Sequence, residues 1–508
     1  MTVYNVDLGI GWASSGVEYA QSYRNQAFKS LKIPAKFIFS DLILDNNIEV
    51  YTKQLGYDDD QIIWFYNFFT DIRIAPSTYS LVDLEKVEHF SKRNVKCQDN
   101  GQDIIYTLPD EQLTIRVHLS NQQKQTVYSV SYEFNGCLIR RDFYSYVKYV
   151  SEFYNGDSQN NIVAYREFYN EDGSVAYTQY PNGKDELFVF PDQIYYSKNA
   201  LYLKMLEELN FQPSDIIILD RMDDGGILIN GQLIFEHHLS AKLVVVVHAD
   251  HYDKHYVGQN ILWNNFYEYQ FTHPDDVAAF IVATDKQNQL FKKQERRYQK
   301  ATPRIVTIPV GNLTKLMKPT QPRKAHSMIT ASRLADEKHI DWLIRAAVIA
   351  RQTVPDLTLD IYGYGGELDR LQKLIESLRA TDYIRLMGQH DLTNVYERYA
   401  AYVAASTSEG FGLSLMEAVG SGLPMIGFDV PYGNQTFIEN GQNGHLIPYH
   451  EDDSIDHKVK SLASAMIKLF TTDDLHAFSK RSYALAEPYL QKNVAQLWYR
   501  LLGELQND

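Results

Sequence analysis

The chain has 508 residues, of which 44% are hydrophobic, 22% charged and 13% aromatic. That is apolar material for large cores and too much length for one ordinary domain, with about three expected. Lys plus Arg number 49 against 64 Asp plus Glu, a net charge of −15, which disfavours a general role on nucleic acid or on an anionic membrane surface. The two cysteines, Cys97 and Cys137, suit a reducing cytoplasm and form neither a metal cluster nor a CxxC pair.

The opening stretch "MTVYNVDLGIGWASSG" has no basic n-region and no long apolar core, so it does not read as a signal peptide. No stretch reaches the ~18 consecutive apolar residues of a membrane span, and a cytoplasmic protein is expected. A strand from Tyr4 to Leu8, the loop "GIGWASSG", a helix from about Val17 and the strand "AKFIFS" follow in order. That is a βαβ pattern. The runs "DIIILD" (215–220), "KLVVVVH" (242–248) and "AAFIVAT" (278–284) return to the same texture, near-continuous and β-branched as in buried parallel strands.

Between these runs the pattern changes. In "QLTIRVHLS" Leu113, Ile115, Val117 and Leu119 alternate with Thr114, Arg116 and His118, the signature of a half-buried antiparallel strand. "VYSVSYEF" and "IVAYREFY" behave alike, and Asn135-Gly136, Asp172-Gly173 and Asn182-Gly183 are hairpin turns. Residues 77–195 are therefore expected to form a tyrosine-rich β-meander inserted between the two parts of a first α/β lobe, 1–76 and 196–311. Tyr128, Tyr132, Tyr165 and Tyr169 form either an interface stripe or part of a half-buried core.

A second α/β lobe is expected over 312–485, entered through the linker "PTQPRK" and followed by a terminal amphipathic helix over 486–508. "KAHSMITAS" and "LTLDIYGYG" read as strands, "HIDWLIRAAVIARQ" and "ELDRLQKLIESLRA" as helices, and "AYVAAST" leads into "TSEGFGLSLMEAVGSGLPMI". Two α/β lobes leave room for a nucleotide ligand between them.

The last stretch carries Glu409 and Glu417. Taken singly, Glu409 is an ordinary loop carboxylate, and Ser414-x-x-Glu417 is a capping box in which Glu417 caps its own helix. Taken together, the glycines follow a buried strand and a helix begins at once, a geometry that binds phosphate. A carboxylate on such a loop reaches a sugar hydroxyl, and one further into the helix accepts from a ribose diol. In "ITASRLADEKHIDWLIRA" Arg333 and Lys338 also stand between a strand and a helix. They are either a solvated charged turn or two cations converging on one diphosphate.

"SRLADEKHIDWLIRA", "IYGYGGELDRLQKLI" and "SEGFGLSLMEAVGSGLPMIG" resemble the C-terminal lobe of retaining glycosyltransferases of family 4 over essentially all of 325–450. The resemblance implies an α/β chain of GT-B fold, with two Rossmann-like lobes and the antiparallel β-meander inserted in the N-terminal one. It implies that Arg333 and Lys338 hold the leaving diphosphate, that Glu409 lies by the donor sugar, and that Glu417 binds the ribose. It places the backbone of Gly410, Phe411, Gly412 and Leu413 on the phosphates. It puts the backbone of Gly388, Gln389 and His390 at the base. "GWASSGVEYAQ" resembles the family's glycine loop, which sets Gly16, Val17, Glu18 and Tyr19 near the nucleotide-sugar; the bland alternative is a helix start capped by Ser14 or Ser15. His248, at a strand end, matches a histidine near the sugar's C6 hydroxyl.

The N-terminal stretch joined to the β-meander resembles GtfA-type transferases. These start O-glycosylation of serine-rich-repeat adhesins with a related, non-catalytic GtfB-type partner. The resemblance implies transfer of GlcNAc from UDP-GlcNAc, or of glucose from UDP-glucose, to Ser/Thr hydroxyls. It implies a cytoplasmic enzyme, peripheral at the inner membrane face through its complex, whose inserted domain binds partner and acceptor. The Asp runs "YDDD" (57–60), "RMDD" (221–224) and "HADHYD" (248–253) read as solvated loops, so no metal and no cofactor is expected. Two other readings remain, a GT-B transferase acting on glycolipid or polysaccharide, and a degenerate transferase that only binds glycosylated repeats.

Overall fold

The computed structural model describes residues 1–11, 16–155, 161–182, 186–220 and 231–507. Residues 12–15, the glycine of Asn182-Gly183 and the "RMDD" run lie outside the described residues. The chain divides into two compact units, one of Met1–Gln26, Lys32–Val245 and Asn265–Ala278, the other of Ala27–Leu31, Val246–Asn264 and Ala279–Asp508.

In the first unit the apolar runs are parallel strands. Val3–Asp7 lies between Ile216–Leu219 and Ala35–Phe39, with Lys242–Val247 and Ile62–Trp64 outside them. Helix Gly16–Leu31 is held to these strands by a buried polar knot. Arg24 donates to Asn5 Oδ1 and Asp220 Oδ2, both at 3.0 Å, and Gln21 Nε2 donates to Asp220 Oδ2 at 2.7 Å. A carboxylate this deep requires such full pairing.

Among the described residues the inserted sheet has ten antiparallel strands in sequence order, from Lys96–Asp99 to Ile194–Tyr195. The strict alternation is borne out in Leu113–Asn121, where Ile115, Val117 and Leu119 are buried and Arg116 is exposed. Asn135 and Gly136 take φ of 49° and 77°, the left-handed pair that a two-residue hairpin between Thr126–Phe134 and Cys137–Tyr144 needs. Tyr128, Tyr132 and Tyr169 are 4–5% exposed. They belong to the core rather than to an interface stripe; only Tyr165 stays half-buried. Their abundance has a packing reason. Tyr66 stacks on Phe168, Phe65 meets Phe188, and the Tyr177 hydroxyl donates to Tyr66 O at 2.7 Å, so rings weld the meander to the α/β strands.

In the second unit six parallel strands lie in the order Ile384–Gly388, Thr358–Tyr362, Ser327–Ala331, Ala401–Val403, Met425–Phe428, Gly444–Ile447. The chain starts in the middle, moves outward to one edge, then returns to the other side of its first strand. The switch point between Ser327–Ala331 and Ala401–Val403 is where such sheets bind ligands. Ala279–Val282 and Ile305–Thr307 form a further parallel pair in this unit. The terminal helix Gln491–Asn507 buries Val494, Ala495, Trp498, Leu501, Leu502 and Leu505, and Trp498 meets Phe28 edge-on at 5.6 Å. Among the described residues no helix is long and apolar enough to cross a membrane.

Candidate active site

The switch point makes neighbours of the loops after Ser327–Ala331 and Ala401–Val403. Lys338 leaves the first loop and Glu409 the second, and their side chains meet: Lys338 Nζ to Glu409 Oε2 is 2.8 Å, with side-chain exposures of 13% and 22%. Arg333 stays outside this pair. It is 76% exposed and reaches Glu337 on its own turn at 3.2 Å.

The glutamate loop is tightly held. Glu409 N donates to Pro431 O at 3.3 Å, and Glu409 O accepts from Tyr432 N at 2.7 Å and Gly433 N at 2.8 Å. A Cβ on Gly433 would sit 2.2 Å from Phe411 O, and one on Gly410 3.0 Å from His248 O. The predicted His248 thus lies with its main chain against Gly410. Phe411 is buried among apolar residues, and Gly412, at φ 83°, opens helix Leu413–Gly420.

The capping-box alternative for Glu417 is overturned. The helix cap is Gly412, which places Ser414 inside the helix, where it bonds the Tyr402 hydroxyl at 2.9 Å. Glu417 Oε2 instead accepts from the Tyr396 hydroxyl at 3.0 Å. Burial, against the Tyr396 bond, pushes the Glu417 carboxyl up to about 7.

The other expected residues are spread more widely. Gly388, at φ 77°, accepts from Gly363 N at 2.9 Å, while Gln389 and His390 are exposed. His390 Nε2 reaches Met387 O at 2.7 Å. Gly16, Val17, Glu18 and Tyr19 form the first turn of their helix in the first unit, with Tyr19 44% exposed. There Glu18 lines a cavity of about 410 Å³ with Asp7, Leu8, Gly9, Ile10, Asp41, Leu42, Ile43 and Asp45.

The reading of "HADHYD" as a solvated loop is corrected. His251 is fully buried, and burial drives its imidazole down to about 4, so it is neutral. Asp250 accepts from Ser408 Oγ at 3.1 Å. In "YDDD", Tyr57 is 1% exposed and Asp58 belongs to a reciprocal cap with Gln61. Among the described residues no three His, Cys, Asp or Glu side chains form a metal-binding group. Asp250, Tyr396 and Tyr432 were invisible as site residues in the sequence. Their partners Ser408, Glu417 and Glu409 lie 21 or more positions away, and no spacing rule marks them.

Comparison with known proteins adds an independent line. Residues 96–192 match the GtfA extended beta-sheet domain, and 314–477 match the glycosyl transferases group 1 family. The chain is 61% identical to the UDP-N-acetylglucosamine–peptide N-acetylglucosaminyltransferase GtfA subunit of Limosilactobacillus reuteri subsp. suis, covering 100% of both chains. The chain belongs to the GtfA family. This GtfA-family chain also superposes on the crystal structure of the pneumococcal O-GlcNAc transferase GtfA in complex with UDP and GlcNAc. The TM-score is 0.94 at 45% identity, over 100% of this chain and 99% of that one. A chain in a crystal structure of a GtfA/B complex gives 0.92 at 48% identity, over 100% of both. The GT-B fold expected from the sequence is thereby established.

Because its Cβ would meet main chain rather than a flexible side-chain end, Gly433→Ala should displace the 409–411 loop. We expect a loss of about 1–3 kcal/mol, read as a lower midpoint of thermal unfolding. Gly503→Ala, which meets nothing within 4 Å, is the matched control. In the interior of its helix it should be neutral or stabilising.

Proposed function

We propose that the chain transfers N-acetylglucosamine from UDP-GlcNAc to Ser/Thr hydroxyls of a polypeptide, with retention at the anomeric carbon. The observation that carries the reading is the Lys338–Glu409 pair at the switch point, 2.8 Å apart. It stands in a chain 61% identical to a UDP-N-acetylglucosamine–peptide N-acetylglucosaminyltransferase GtfA subunit. The acceptor is a serine-rich-repeat adhesin, and the chain works with a GtfB-type partner. Any place at the inner membrane face comes through that complex.

Each residue has a physical task. Lys338, as a point charge, and Arg333, as a fork, bind the diphosphate with the main-chain N–H groups of Phe411, Gly412 and Leu413. As the sugar–phosphate bond breaks, negative charge grows on the departing phosphate, and these groups stabilise it. Gly410 lets the loop approach the donor closely. Glu409 and His248 orient the sugar. Glu417 accepts from the ribose diol, and the backbone of Gly388, Gln389 and His390 meets the base. Gly16, Val17, Glu18 and Tyr19 serve the nucleotide-sugar. The acceptor hydroxyl attacks from the face the phosphate leaves, and that phosphate takes its proton. The cationic side chains perform the task a metal would otherwise have.

The test is mass spectrometry of a serine-rich peptide incubated with the chain, its partner subunit and UDP-GlcNAc or UDP-glucose. We expect one N-acetylhexosamine on Ser/Thr, a preference for UDP-GlcNAc, and no loss in EDTA. Loss in EDTA restored by manganese would remove the metal-free mechanism. No transfer from either donor, despite donor binding, would redirect the acceptor to a glycolipid or polysaccharide.

Glu409→Ala should lower kcat severely without weakening UDP binding, since the carboxylate lies by the sugar and its loss leaves Lys338 for the phosphates. An equal loss of UDP affinity would assign Glu409 to the nucleotide instead.

Glu417 makes donor binding pH-dependent. A ribose diol donates to a carboxylate, and below about 7 the Glu417 carboxyl takes up a proton. Affinity for UDP-GlcNAc, whose diphosphate does not titrate here, should rise about tenfold from roughly pH 6 to 8. Tyr396→Phe, which removes a donor to the carboxylate, should move that inflection upward.

A further inference from the structure

We propose that Asp360 is a positioning residue for the nucleoside half of the donor. Through Tyr399 and Tyr362 it fixes the bulged corner 387–390, on which the base lies. The inference rests on the reading of Gly388, Gln389 and His390 as the base site.

The corner owes its shape to one extra residue. Strands Thr358–Tyr362 and Ile384–Gly388 pair Asp360 with Arg385 and Ile361 with Leu386, but Tyr362 with Gly388. Met387 is therefore an additional residue on its strand, a bulge that bends the chain there. Two hydrogen bonds close the corner. Gly363 N donates to Gly388 O at 2.9 Å, and His390 Nε2 donates to Met387 O at 2.7 Å. The rings of Tyr362 and His390 meet edge to face, with centroids 5.9 Å apart. Tyr362 thus touches the corner at both ends, through Gly388 in the ladder and through the His390 ring.

Tyr362 is in turn held from Asp360, two residues earlier and on the same face of the strand. Asp360 is 3% exposed. Its Oδ1 accepts from Arg385 Nε at 2.8 Å. Its Oδ2 accepts from Arg385 Nη2 at 2.6 Å and from the Tyr399 hydroxyl at 2.7 Å. A phenol has one proton, and Tyr399 gives its own to Asp360. In the 3.0 Å contact between the Tyr362 and Tyr399 hydroxyls, Tyr362 is therefore the donor. The chain of bonds has one polarity, from Tyr362 to Tyr399 to Asp360.

The same chain reaches the other end of the nucleoside. Tyr399 closes the short turn Tyr396–Arg398, and the Tyr396 hydroxyl donates to Glu417, the carboxylate read as the ribose acceptor. Two tyrosines three positions apart thus tie the base corner and the ribose carboxylate to one segment. Tyr399 reaches Asp360 across the sheet, since Ser327–Ala331 lies between the strand it precedes, Ala401–Val403, and Thr358–Tyr362. Without Asp360 the nucleotide itself must order the corner, and that ordering is paid in affinity.

The test uses the chain with its partner subunit, UDP-GlcNAc and a serine-rich peptide, with UDP and inorganic pyrophosphate as inhibitors. Pyrophosphate has the diphosphate without base or ribose. Asp360→Ala should raise the UDP inhibition constant and the KM for UDP-GlcNAc about tenfold, and move kcat and the pyrophosphate constant by less than about twofold. Tyr399→Phe, which removes both phenol bonds, should weaken UDP about fivefold, and Tyr362→Phe about threefold. Combined, they should cost no more than Tyr399→Phe alone, because the two phenols share one bond. Gly388→Ala, strained at φ 77°, checks the base site independently and should weaken UDP but not pyrophosphate. Equal losses for UDP and pyrophosphate, or a lowered melting midpoint with unchanged UDP inhibition, would overturn the proposal. So would strictly additive effects of Tyr362→Phe and Tyr399→Phe, the arm that decides the matter if Asp360→Ala does not fold. If Gly388→Ala weakens UDP while the Asp360 and Tyr399 variants do not, only this inference fails. If Gly388→Ala is indifferent as well, the base-site reading fails with it. No inhibition of the wild-type chain by UDP would sink the functional reading itself.

Discussion

The ion pair between Lys338 and Glu409 depends on one topological fact. Strands Ser327–Ala331 and Ala401–Val403 are parallel neighbours although 69 residues of chain lie between their ends, Ala331 and Ala401. Because both run the same way, the loops that leave them emerge side by side. A cation and a carboxylate 71 positions apart therefore meet at 2.8 Å. The crossover that separates the strands leaves an opening at that end of the sheet, and the two side chains stand at its rim.

Around this point the structure limits motion in steps. Small residues let main chain approach main chain: Gly410 against His248 O, Gly433 against Phe411 O. Hydrogen bonds from Tyr432 and Gly433 then lock the carbonyl of Glu409. Apolar packing of Phe411 against Phe437 and Tyr489 holds the loop from beneath. Only after these constraints does the Glu409 side chain have a fixed stem from which to meet Lys338. Electrostatic stabilisation of a leaving phosphate needs this order, since charges that must reorganise during the reaction stabilise it less.

The first unit solves a different problem. A long antiparallel meander must be anchored without a parallel partner strand. Aromatic stacking supplies the area, and the buried Arg24–Asp220 knot fixes the helix over the strand ends. Tyrosine suits the anchor because its ring packs while its hydroxyl finds an acceptor, as Tyr177 does on Tyr66 O. Hence Tyr128, Tyr132 and Tyr169 lie in the core of the meander.

Local chemistry was legible in the sequence. Alternation named the meander strands, β-branched runs named the parallel ones, and Asn135-Gly136 named its hairpin. The glycine-flanked pair Glu409 and Glu417 named the loop-to-helix corner. These follow from short-range rules, in which a residue's neighbours in sequence are also its neighbours in space. Partnerships across the sheet were decided by tertiary structure alone. Ser414 and Glu417 have the spacing of a cap, yet Gly412 takes that place, and Tyr396 and Tyr402 claim the two side chains. "HADHYD" has the composition of a solvated loop, yet packing buries His251, and Asp250 accepts from Ser408, 158 positions away. Composition records how polar a residue is. Only the folded chain determines which groups remain near enough to satisfy it once water has been removed.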